Sequence, residues 1–137
     1  MKIYEFKQSI LPFRLMACVG TDAIRGLFEL DCEKLEEGTP AMTCCRVTKK
    51  EQYNVVLLRF RDVKSIGFVN VVHECGHLGI DVFDYIDQQV SDASSEMFCY
   101  LIGWAGGCCE WLKAHLSGEG EENPDYEGKA VYETECL

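Results

Sequence analysis

Residues 53–77 read YNVVLLRFRDVKSIGFVNVVHECGH, and one periodicity gives way to another within them. Over the first part, Val55, Leu57 and Arg59 fall on one side and Val56, Leu58 and Phe60 on the other, the two-residue alternation of a strand. From Ser65, a residue able to cap a helix, the spacing predicts a helix to about Leu78, with Gly79 placed to end it. A strand running straight into a helix, with further strands upstream and a second helix downstream, puts the chain in the α+β class.

Working upstream, KIYEF and PFRLMACVG have strand character, with Pro12 placing the second near an edge or at a strand start. MTCCRVTKK and YNVVLLRF, separated by a polar turn around Glu51 and Gln52, form a predicted hairpin. Between these pairs, TDAIRGLFELDCEKL offers Thr21 or Asp22 as an N-cap. Its Ile24, Leu27, Phe28 and Leu35 suit a helical face, and Gly38 and Pro40 then break the chain. Downstream, DVFDYIDQQV reads as a loop or short helix. Ser91 or Asp92 can then cap a longer helix reaching about Leu116, with Gly118 beyond it. Residues 1–117 are expected to form a single domain. The tail 118–137 is acidic and rich in breakers, which predicts a flexible or loosely docked segment.

Net charge is −10, of which −6 lies in residues 118–137. A chain this acidic lacks the clustered Lys and Arg that bind nucleic-acid phosphates, and a divalent cation or a basic partner suits it better. No apolar run approaches the ~20 residues that cross a bilayer. The N-terminus is interrupted by charge every few residues, so neither a membrane span nor a signal peptide is expected, and a cytoplasmic protein is. The nine cysteines are an odd number, and Cys44-Cys45 and Cys108-Cys109 are adjacent in sequence, where bridging is strained. They read as reduced thiols, mostly buried as small apolar side chains.

Residues 73–77 are His-Glu-Cys-Gly-His, a match to H-E-x-x-H. On a helix, His73 and His77 project from one face a turn apart, so both imidazoles can reach one zinc ion. Glu74, rotated about 100° from His73, can stand beside the metal without ligating it and take a proton from water there. The competing reading is a buried helix with incidental histidines, which the apolar IGFVNVV upstream would suit. Such a helix would have to satisfy two imidazoles and a carboxylate within one turn, which is costly without a partner.

A catalytic zinc site usually has a third protein ligand. Candidates are Asp81, Asp84, Asp87, Asp92, Glu96, Glu110, His115 and several cysteines. Asp81 continues the histidine stripe but falls beyond the expected helix end at Gly79. Glu96 is preferred because it heads the stripe Glu96-Tyr100-Gly103-Gly107, whose glycines would let the second helix approach the first closely. Gly76 could serve the same purpose on the first helix.

These residues resemble the zincin metallopeptidases, in which H-E-x-x-H lies on a helix behind a small sheet. The separation from His77 to Glu96 is like that of the gluzincin branch, in which a glutamate on the following helix completes the site. VVHECGH followed by SSEMFCYLIGW also resembles small H-E-x-x-H proteins of bacteriophages and prophages. The resemblance implies a minimal zincin-like fold with one zinc ion on His73, His77 and Glu96. It makes Glu74 the general base and Tyr100, with His115 as the other candidate, the stabiliser of the tetrahedral intermediate. The implied activity is hydrolysis of a peptide or protein substrate, which could align on YNVVLLRF if that strand is a free sheet edge. The alternative is a non-catalytic zinc-binding phage accessory protein that binds a host partner.

Overall fold

The computed structural model describes residues 1–133. Its strands are β1 (Lys2–Phe6), β2 (Arg14–Val19), β3 (Ala41–Val47), β4 (Asn54–Phe60) and β5 (Lys129–Glu133). Two helices, α1 (Phe68–Tyr85) and α2 (Ser95–Ser117), separate β4 from β5. The strands form one sheet in the order β3-β4-β2-β1-β5. Pairing is antiparallel except between β2 and β4, which run parallel with Arg14 opposite Val55. The architecture is α+β.

Strand alternation divides the core into two layers. Val56, Leu58 and Phe60 join Leu15, Ala17, Tyr4 and Phe6 beneath the helices, packed on Leu78, Val82, Leu101, Ala105 and Leu112. Val55 and Leu57 join Ile3, Met16 and Cys18 on the other face, under Ile24, Phe28 and Cys32. Arg59 shares this second face and is 0% exposed.

That second face is covered by the segment read above as a first helix, and the segment is not helical. Residues 21–38 form an irregular covering whose only ladder contacts are the isolated bridges Ile24↔Cys32 and Phe28↔Thr48. Ile24, Phe28 and Leu35 are buried, as a helical face would have made them. What prevents the helix is local: Gly26 takes φ +81, and its N–H is drawn to Asp31 Oδ1 at 3.0 Å. The buried Arg59 guanidinium holds the carbonyls of Asp22 and Glu33, each at 2.7 Å, and so uses backbone acceptors a helix would need.

Two boundaries of α1 also differ from the sequence reading. Ser65 lies in a short 3-10 turn capped by Asp62, and Gly67 is the N-cap of α1. The helix continues through Gly79 to Tyr85. Gly79 serves packing rather than termination: a Cβ there would stand 2.9 Å from Phe98 Cε2 and 3.2 Å from Ile102 Cγ1, so its absence lets α2 approach. Of the glycines expected to perform this service, Gly76 and Gly103 have nothing within 4 Å of an added Cβ, and Gly107 admits Tyr126 rather than α1. α2 ends at Gly118, which takes the left-handed conformation and donates to Ala114 O, as its position after the helix implied.

The tail is not loosely docked over its described length. β5 pairs with β1, Gly107 leaves room for the Tyr126 ring, and Gly128 sits against Phe6 and Trp111. Residues 134–137, including Glu135 of the acidic stretch, lie outside the described residues. No helix among the described residues is long and apolar enough to cross a membrane.

Candidate metal centre

α1 buries Cys75, Leu78, Gly79, Val82 and Phe83 against the sheet and α2. At about 100° per residue, His73 and His77 then fall on the side of the helix opposite this stripe. Both are exposed. Their rings meet edge to face, with the two Nε2 atoms 3.2 Å apart. Two nitrogens bound to one tetrahedral zinc at ~2.0–2.1 Å stand about 3.3 Å apart, so the pair already has the bite of a metal chelate.

Glu74 lies between this exposed face and edge strand β3, and is 6% exposed. The Thr43 hydroxyl of β3 is 3.0 Å from Glu74 Oε1 and 3.1 Å from its carbonyl oxygen, and holds the carboxylate at the border of helix and sheet. One turn after His77, Asp81 continues the histidine stripe because the helix does not stop at Gly79. Its carboxylate accepts from the Cys45 thiol of β3, which partial burial and then Asp81 push up to about 11. Thr43 was not singled out from sequence. Asp81 was named as a candidate ligand and set aside because the helix was expected to end at Gly79, although Leu78, Val82 and Phe83 carry the helical spacing past that glycine.

Glu96 and Tyr100 are placed elsewhere. α2 meets α1 through Phe98 and Ile102 at Gly79, and through Gly106 beside Val71. Glu96, six residues before Ile102 at the centre of this contact, is therefore turned about 120° from it. The helices run antiparallel, so it also lies roughly 10 Å further along the axis than the histidine pair. With Cys99, Tyr100, Gly103, Trp104 and Tyr126 it lines a separate open groove, in which Tyr100 is 75% exposed. His115 is stacked on Trp111 and paired with Glu122, away from the other two histidines. Among the described residues, no three His, Cys, Asp or Glu side chains gather in a geometry that holds a metal ion. Among the described residues, the histidine pair is present without the expected third ligand beside it.

No family model, curated protein or solved structure matches this chain. The functional reading therefore rests on the site.

Proposed function

We propose that the protein is a zinc-dependent hydrolase of peptide bonds, with His73 and His77 as metal ligands and Glu74 as general base. The observation that carries this reading is the 3.2 Å approach of the two Nε2 atoms on an exposed face, with an anchored carboxylate one residue away. Zinc held by the imidazoles would lower the pKa of water and polarise a substrate carbonyl. Glu74 would accept the proton from the attacking water and pass it to the leaving amine. Thr43 orients Glu74 by hydrogen bonding one carboxylate oxygen. Glu96 and Tyr100 are left without a role in this mechanism.

The substrate strand also changes place. β4, nominated from sequence as a free edge, lies inside the sheet between β3 and β2, and β3 is the edge. An extended peptide adding to β3 would run beside Thr43 and so past Glu74, with main-chain hydrogen bonds setting its register. The free thiols suit a reducing cytoplasm.

A second reading is favoured by the exposed Phe68, Val69, Val72 and Ile80 on α1, and by there being no third neighbouring ligand among the described residues. In it the protein is non-catalytic, and a partner protein completes the coordination of the metal on this apolar rim.

Incubating tag-free, zinc-loaded protein with a peptide library, read by mass spectrometry, separates the two. Hydrolysis predicts cleavage that 1,10-phenanthroline abolishes and added zinc restores. Zinc-loaded protein that cleaves nothing would leave the second reading standing and the first overturned.

A further inference from the structure

We infer that Cys32 and Cys44 form a thiol oxidation site, an arginine-flanked dithiol that closes to a disulfide when a hydroperoxide reaches it. The site lies on the face of the sheet away from the helices and is independent of the metal reading. Cys32 belongs to the irregular covering and is 1% exposed, while Cys44 of β3 is half-buried. Their thiols are in hydrogen-bonding contact, and the Arg46 side chain also bonds to Cys32.

Two guanidinium groups border the pair with donors unspent. Arg59 gives Nη1 and Nη2 to the carbonyls of Glu33 and Asp22, and Arg46 gives Nη1 to the carbonyl of Cys45. The Nε atoms of both are buried with no hydrogen-bond partner. Buried donors left over in a folded protein call for an explanation. Negative charge at Cys32 supplies one, since it would place an anion between two cations that no carboxylate neutralises among their hydrogen bonds. The hydrogen bond from Cys44, and then Arg46 and Arg59, accordingly hold the Cys32 thiol down to about 6 against the opposing effect of burial. Cys44 is pushed up by giving that hydrogen bond and by burial. Cys18, beside them on β2, also bonds to Arg59, but burial outweighs that interaction and raises its thiol to about 12.

The chemistry follows the polarity of the pair. The Cys32 thiolate attacks one oxygen of hydrogen peroxide. The O–O bond breaks, and the departing hydroxide takes up the proton that Cys32 had released. Cys44 then attacks the sulfenic sulfur, the S–O bond breaks, and the hydroxide leaves with the Cys44 proton. One peroxide and two thiols become one disulfide and two waters. The product ties the covering segment to edge strand β3.

Cys75 and Cys109, whose thiols touch across α1 and α2, provide an internal reference. No arginine acts on that pair, and both of its cysteines are buried between the helices and the sheet. The test treats the full-length protein with hydrogen peroxide, quenches with N-ethylmaleimide over time, and maps linked peptides by mass spectrometry. A Cys32–Cys44 link is expected about tenfold or more faster than a Cys75–Cys109 link. It should be absent in Cys44→Ser, kept in Cys45→Ser, and slowed about tenfold in Arg46→Gln. Linkage through Cys45, equal rates for the two pairs, an unchanged rate in Arg46→Gln, or no link while exposed Cys99 is oxidised would each overturn the proposal.

Discussion

Glu74→Gln is expected to keep its zinc and lose peptide hydrolysis by about 10³-fold in kcat, within the range that general-base catalysis contributes. The substitution is nearly isosteric. The amide oxygen can still accept from Thr43, so the packing between α1 and β3 is retained. What glutamine cannot do is take a proton from water. His73 and His77 are on the neighbouring face of the helix, so the substitution should leave zinc stoichiometry unmoved. Thr43→Val supplies the graded comparison: the carboxylate keeps its basicity but loses the hydroxyl that orients it, and a fall of about tenfold is expected. Steady-state kinetics on a cleaved library peptide, with zinc measured on the same samples, checks both. Activity in Glu74→Gln equal to wild type would remove Glu74 from the mechanism.

The largest stability effect is expected at Arg59. Arg59→Met keeps an unbranched side chain on the buried second face but strands the carbonyls of Asp22 and Glu33, each now held at 2.7 Å. Hydrogen bonds from a charged donor are worth about 1.5–3 kcal/mol each. Removing a buried charge recovers part of its desolvation cost, so the net loss should be about 2–3 kcal/mol. For a chain of this size that lowers Tm by roughly 10 °C. Arg61→Met is the control. Arg61 holds the carbonyls of Thr39 and Glu36 nearer the surface, where water can replace it, and a loss below about 1 kcal/mol is expected. Thermal unfolding of the two variants side by side decides the point. Equal Tm values would mean that Arg59 does not latch the covering segment.

Much of this frame was legible in the sequence because burial imposes period. The alternation in residues 55–60 assigned each of those side chains of β4 to its observed face, and the α+β class and the hairpin of β3 with β4 followed from the same signal. The covering segment was misread because its buried Ile24, Phe28 and Leu35 also fit a helix. Beside the local turn at Gly26, an arginine on another strand holds the carbonyls of Asp22 and Glu33, and no pattern within the segment reports that. Gly79 was read as a stop because a glycine that ends a helix and one that admits a neighbour look alike until Phe98 is known to lie against it. The tail was read as loose from its charge and breakers, whereas β1 recruits Lys129–Glu133 as a strand. The histidine pair and Glu74 needed only intrahelical geometry, and there the spacing served. A third ligand requires knowing how α2 is rotated on α1, and a stripe within α2 cannot give that.

Zinc titration of the tag-free protein, alongside His73→Ala, His77→Ala and Glu96→Gln, tests the metal centre most directly. The geometry predicts one zinc per chain, affinity weakened at least ~100-fold in either histidine variant, and unchanged affinity in Glu96→Gln. Zinc uptake by the wild type no tighter than by His73→Ala and His77→Ala would contradict the chelate on which the functional account depends.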